Sequence, residues 1–530
     1  MMHKDSEDVL MRRLSVLLSV SLAVLLGTHV SGYCQDDHGS RCETARRQTE
    51  SSMQPFSRTR GEARKQALST ERSRSSGLSV EEELRALRSR VEQLELLSSS
   101  SAQPHGSVPA STDSVSEPIR RASYEESGEP SGLLPRFYVD YDKGFVLRPY
   151  DKEATPFELK TRMRMQFRYV GLQRDRKFWT DNAGVTHVIS PRNDFEIERG
   201  RLEFSGFFFD PNLEYYINID ADTDDQHRAI FHDFWINYVF TDALTVYIGK
   251  AFVPGSRSWL DGSTRTHLAD RSMATTFFRP DRSIGIWAIG EPIEDFHYRF
   301  MVGNGYNTTD LKPSQVDEQF VYSGSIWWEP LGSFGKGYAD LEHREAPVVR
   351  IGTSFSYGSE KPQDTGDSFA EEKFARLSDG TRLIDSGALA PGVTVNSFDI
   401  YVWAIDAALK YQGWSANAEY YFRWLTDFGA TGGAIPHTQL YTDGFYVDVG
   451  KMIVPHHLEL VGRISLVDGF YGDSWEYAAG VNWYINGKHS NKLTFDIAIL
   501  DGSPTRNSGP NFEAGMDGVL YRLQWQIAAY

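Results

Sequence analysis

Residues 157–170, FELKTRMRMQFRYV, alternate between two kinds of side chain. Phe157, Leu159, Met163, Met165, Phe167 and Tyr169 share one parity, while Glu158, Lys160, Arg162, Arg164, Gln166 and Arg168 share the other. Successive side chains of an extended strand point to opposite faces, so this stretch reads as a strand with one apolar and one charged face. Four cations on one face do not suit a dry core, where unpaired charge is very costly. They fit a strand whose charged face meets a water-filled lumen and whose apolar face meets lipid.

Similar segments follow at about 194–209, 212–222, 230–240, 243–251, 283–290, 294–303, 320–329, 347–357, 398–411, 413–425, 441–451, 456–467, 474–486, 490–500 and 517–529. The expected fold is therefore an all-β transmembrane barrel of about 16 antiparallel strands over residues 135–530. Connection length supports this. Short turns such as 210–211, 241–242, 291–293 and 452–455 interleave with long loops at 171–193, 252–282, 304–319, 358–397, 426–440 and 501–516. A barrel sorts short and long connections onto opposite rims, whereas a sandwich has no reason to do so. Residues 330–346 break the pattern, being long on the short side. Aromatics at 13% fit strand and girdle positions such as Trp327, Trp328, Tyr420, Trp424, Trp483 and Trp525. Past residue 30 no apolar run approaches the roughly 20 residues of a membrane helix.

The front of the chain divides differently. Residues 1–32 read as a signal peptide: Arg12 and Arg13 are basic, Leu14 to Gly27 apolar, and Val30, Ser31 and Gly32 form a small-residue cleavage site. Residues 33–77 lack the apolar content to order themselves and read as disordered. In 78–98, Val80, Leu84, Leu87, Val91 and Leu94 repeat at heptad spacing, a short α-helical coiled coil expected in the periplasm. A single amphipathic helix is the alternative. Residues 99–134 read as a flexible linker. The two cysteines, Cys34 and Cys42, lie outside the barrel, so metal and thiol chemistry are not expected and no cofactor is. Whether they pair is open. A net charge of −17 argues against nucleic acid as a partner.

Four blocks carry a resemblance: RGRLEFSGFFFDPNLEYYINIDA (199–221), DFWINYVF (233–240), LTVYIGKAFVP (244–254) and DRSMATTFFRPDRSIGIW (270–287). The last pairs Arg271 with Ser272 ahead of a Pro-x-Arg-x-x-Gly element. In this order they resemble the phosphate-selective porin O and P family. The resemblance implies a homotrimer of sixteen-stranded barrels in the cell outer membrane, passing small anionic solutes such as phosphate or polyphosphate. It also implies that the third long loop, 252–282, folds inward and that Arg and Lys line the constriction. On that loop and beside it lie Lys250, Arg257, Arg265, Arg271, Arg279 and Arg282.

Physical reasoning adds Lys160, Arg162, Arg164 and Arg168, spaced by roughly 7 Å along one face, as a ladder of weak anion sites. Arg199 and Arg201 extend it if their parity is inward. The competing reading has these cations bracing the wall against Glu158, Glu203, Glu214, Asp220 and Asp233, with Asp261, Asp270 and Asp281 neutralising the loop. A general non-selective porin and a plugged structural or adhesive barrel are the alternative functions. Enzyme function is not expected, since His267, His297, His437, His456 and His457 show no catalytic setting in the sequence. Tyr521, Leu523, Trp525 and Ile527 share the apolar parity of the last strand and Tyr530 does not, a mismatch that a bulge would repair.

Overall fold

The computed structural model describes residues 136–223, 229–306, 316–361 and 375–529. The expected leader, disordered segment, coil and linker, together with Cys34 and Cys42, lie outside these residues.

A hairpin of β1 (Phe137–Tyr141) and β2 (Phe145–Pro149) precedes the first wall strand, β3 (Phe157–Arg174). A second small hairpin, β4 (Phe178–Thr180) with β5 (Thr186–Val188), sits in the loop after β3. The wall continues through β6 (Arg192–Phe208), β7 (Asp210–Ala221), β8 (Ala229–Thr241), β9 (Leu244–Phe252), β10 (Arg282–Ile293), β11 (Phe296–Gly303), β12 (Val321–Trp328) and β13 (Val348–Glu360). It is completed by β14 (Thr394–Tyr411), β15 (Trp414–Thr431), β16 (Gln439–Val454), β17 (Leu458–Gly469), β18 (Gly472–Tyr484), β19 (Asn491–Asp501) and β20 (Gly518–Ala529). Two short helices, α1 (Arg257–Leu260) and α2 (Met273–Phe278), lie between β9 and β10.

Each wall strand pairs antiparallel with its neighbours in sequence, and β20 returns to β3 from Gly518 opposite Arg174 to Ala529 opposite Met163. The result is a closed barrel of sixteen strands. Every expected segment is a strand. The largest boundary difference is at the end of β15, which runs to Thr431 because it stays paired with Thr394 of β14 beyond residue 425. The β1–β2 hairpin escaped the sequence reading because five residues per strand are too few to establish a period.

Burial follows strand parity, with the sense reversed from a soluble protein. Met163, Phe167, Ile248, Ile286, Ile464 and Ile497 are exposed on the outer face. Gln166, Arg168, Asp448, Glu476, Thr494 and Arg522 are buried on the inner one. Trp328, Trp414, Trp483 and Trp525 lie outward toward the short-turn rim, where an indole suits the membrane interface. Trp327 differs from the girdle expectation: it pairs with His297 and carries the Arg350 guanidinium 4.6 Å over its ring.

Two local irregularities shape the wall around β3. A bulge in the β3–β6 ladder falls between Gln166–Arg199 and Phe167–Ile197, leaving Glu198 as the extra residue. Arg199 and Glu198 are both buried as a result, so the inward parity runs on through Arg201 and Glu203. At the front, β2 pairs with β3 only from Leu147 opposite Leu159 to Phe145 opposite Thr161. The turn at Lys143 and Gly144, with φ of 49° and 140°, ends it there. A Cβ on Gly144 would stand 2.8 Å from the Thr161 carbonyl oxygen, so the turn depends on glycine. No bulge interrupts the β20–β3 register among the described residues.

Replacing Ile497, outward at mid-strand on β19, by Arg should destabilise the barrel by about 2–4 kcal/mol, while Ile453→Arg near the rim should cost about 0–1 kcal/mol. Equilibrium unfolding in lipid vesicles measures both; equal costs would refute the assigned lipid face.

Candidate functional site

Residues 253–281, between β9 and β10, turn into the barrel. Leu268, Ala269, Met273 and Ala274 are wholly buried there. α2 packs against β15, β16 and β17, and Phe278 stacks on Tyr421 with centroids 5.1 Å apart. Ser256 caps α1 and Ser272 caps α2. A loop inside a barrel must satisfy its own backbone, and here the wall does so. Asp496 accepts from the Ala269 amide at 2.8 Å and Glu476 from the Met273 amide at 2.7 Å. Lys492 donates to the Thr266 carbonyl at 2.9 Å, and Arg463 to that of Asp270 at 3.0 Å. These are lumenal side chains of β17 to β19, engaged by the loop rather than by solute.

His267 belongs to the same anchorage. Its Nε2 lies 2.9 Å from Ser415 Oγ and 3.5 Å from Glu459, with Nδ1 3.8 Å from Asp448. A serine, a histidine and a carboxylate are thus neighbours, but the imidazole is 0% exposed. No solute reaches it.

The long connection on the short-turn rim, 329–347, folds inward to meet this loop. Phe334, Tyr338 and Asp340 are buried. The Tyr338 amide donates to the Arg265 carbonyl at 3.2 Å, and the Arg257 guanidinium lies 5.2 Å over Phe334 and 5.1 Å over Tyr338. Lys410 donates to the Phe334 carbonyl, and Asp340 accepts from the Gly413 amide. Together with residues of the loops 375–393 and 503–516, the two inward segments fill the lumen beside β14 to β20. What is left is a cavity of about 670 Å³ against β3 and β6 to β11.

The twelve basic residues expected to line the pore fall into three settings. Arg168 is wholly buried, within 3.5 Å of Glu196, 3.4 Å of Glu198 and 3.3 Å of Asp270, with Gln524 accepting from Nε at 2.9 Å. Arg199 joins this node through Asp270 at 2.8 Å and Glu198 at 3.2 Å. Burial opposes ionisation of Asp270, but Arg199, Arg168 and Arg271 outweigh it and hold the carboxyl well below the usual carboxylate range. Arg201 pairs with Asp220 at 2.6 Å and Arg282 with Asp233 at 2.9 Å. Arg257, clear of the cavity, donates to Asn417.

A second group holds the loop. Arg271 donates to the Ser258 and Asp261 carbonyls at 2.8 and 2.7 Å, and Arg271 and Arg279 approach the Trp259 ring at 4.6 and 4.9 Å. The third group comprises Arg162, Arg164, Arg265, Lys250 and Lys160, of which the first four line the cavity. Among the described residues Arg162 and Arg164 share the carboxylate of Glu203 at 3.6 and 3.2 Å, and Arg265, half-buried, has no carboxylate partner. Lys250 sits at the cavity edge and donates to the Phe231 carbonyl, and Lys160 pairs with Asp142 of the β1–β2 turn at 3.0 Å.

Several cavity residues were missed in the sequence. Tyr216, Trp235 and Tyr247 line it from β7, β8 and β9, their rings in file at 5.2 and 5.4 Å. Arg299 of β11 also lines it, without a carboxylate partner among the described residues. Strand parity places these three aromatics inward, a signal obscured by reading aromatics as membrane girdles.

Removing Asp270 strips a partner from both Arg168 and Arg199. Asp270→Ala should lower stability by about 3 kcal/mol and open residues 253–281 to protease. Wild-type unfolding and protease resistance would show that the node does not hold the loop.

The described residues contain no helix long and apolar enough to cross a membrane. Among solved structures, the chain is similar to an anion-selective porin from Comamonas acidovorans (11% identity, TM-score 0.45, 70% of this chain and 99% of that one). It is also similar to OmpT of Vibrio cholerae (10%, 0.42, 70% and 98%) and to Salmonella typhi OmpF in complex with daunomycin (10%, 0.42, 74% and 100%). No curated protein matches. The sequence pattern of phosphate-selective porin O and P matches residues 175–527, most of the barrel. The chain therefore belongs to the phosphate-selective porin O and P family, as an outer-membrane porin and not an enzyme.

Proposed function

We propose that the barrel gives passive diffusion to small anions, phosphate and polyphosphate among them, through the cavity left by the inward loop 252–282. The observation that carries this reading is a local reversal of charge. The chain as a whole is at −17, yet among the described residues ten Arg and Lys side chains line the cavity against eight Asp and Glu. Fixed positive charge in a narrow, poorly screened passage favours anions. Arg suits the task because it stays charged and presents a planar fork to oxyanions. Selectivity rests on Arg162, Arg164 and Arg265, which are incompletely neutralised, and Arg168 and Arg199 brace the constriction. Assembly as a homotrimer completes the proposal.

In planar bilayers the purified protein should give conductance steps that favour chloride over potassium, with phosphate blocking the chloride current. Cation preference would overturn the anion reading and leave a general porin. Intact trimers without conductance would point to a plugged barrel, the second reading, which the lumen packing of residues 329–347 favours. Arg162→Ala combined with Arg164→Ala should reduce anion preference about fivefold or more, on the scale of 1 kcal/mol per hydrated charge. An unchanged reversal potential would return those residues to bracing.

A further inference from the structure

The aromatic file of Tyr216, Trp235 and Tyr247 has no role in passing a bare inorganic anion. The face of an aromatic ring is electronegative, so phosphate gains nothing from it. Val239 and Ile289 line the same wall and extend its apolar area. Apolar surface on a solute path is covered favourably only by a solute with an apolar face of its own.

Cations flank this shelf. Arg299 lies opposite Ile289 in the β10–β11 ladder, lines the cavity and has no carboxylate partner among the described residues. On the other side Arg162 pairs across to Glu203, and Glu203 to Asn218, the next lumenal residue along β7 from Tyr216. Asn218 and Asn237, both buried along the same wall, donate to Asp233 and Glu214. Glu203, Glu214 and Asp233 line the cavity beside the rings, and carboxylates accept from the hydroxyls of a hydroxylated ring. Its flat face stacks on the file, and an anionic group attached to it reaches an arginine at either end.

We propose that this shelf is a subsite for anionic solutes that carry a hydroxylated ring, sugar phosphates in particular. The proposal rests on the anion-channel reading and names the class of solute that the same cavity prefers. Stacking adds roughly the energy of one ring contact to the charge interaction, so a sugar phosphate is retained more firmly than phosphate itself.

The test is block of chloride current through the full-length protein in planar bilayers, with inorganic phosphate, glucose 6-phosphate, glucose and benzoate as probes. Glucose 6-phosphate should reach half-block at a concentration about fivefold below that of phosphate, the scale of one ring contact. Glucose should block more weakly than glucose 6-phosphate. In Trp235→Leu, and independently in Tyr216→Leu, the ratio of the two half-blocking concentrations should fall to near one. Arg299→Gln should weaken block by both anions. Equal block by phosphate and glucose 6-phosphate in the wild type, or a ratio unmoved in both ring variants, overturns the proposal. Benzoate as effective as glucose 6-phosphate overturns the sugar assignment. The reversal potential in a potassium chloride gradient uses no organic probe, so loss of anion preference is distinguished from loss of the ring subsite alone.

Discussion

Lipid offers no hydrogen-bond partner to a peptide group, and the rest of this structure depends on that constraint. Every backbone N–H and C=O within the membrane must be met by the protein, which a sheet achieves only by having no edge. The β20–β3 pairing supplies the closure. Once the ring is closed, side-chain parity divides each strand between lipid and lumen. The charged half of each alternation, which would be too costly in a soluble core, becomes the interior.

A sixteen-stranded interior is too wide to be filled by its own wall side chains. Here it is narrowed from both rims. The loop after β9 comes in from one end and the connection after β12 from the other, and they meet where Tyr338 bonds to Arg265 and Arg257 lies over Phe334 and Tyr338. Wall carboxylates on β18 and β19 answer loop amides, so their charge is taken up in holding the loop. The passage that remains runs along one side of the lumen, lined by residues of β3 and β6 to β11.

The barrel was legible in the sequence because its dominant rule is local. Alternation along β3 is visible in fourteen residues, and lipid enforces it on every strand. The site was less legible because its rules are not local. Arg162 and Arg168 are indistinguishable on one strand face, yet one shares Glu203 at the cavity while the other is enclosed by Glu196, Glu198, Asp270 and Gln524 from three other parts of the chain. The inward parity of Arg201 relative to Glu196 depended on a single extra residue at Glu198. Residues 330–346 stood out as a misfit of length, but nothing in their composition said that they enter the barrel.

The short N-terminal hairpin bears on how the ring can close. β20 and β2 lie along the same edge of β3, one beginning at Met163 and the other ending at Thr161. The edge therefore has two claimants, one close in sequence and one more than 350 residues away. Loop-closure entropy gives the near claimant first access. Were β2 to continue, it would occupy the positions that β20 requires. The left-handed turn at Lys143 and Gly144 stops it within two residues of that point. A tight turn outside the ring thus acts as a place-holder, reserving a seam for the last strand to arrive.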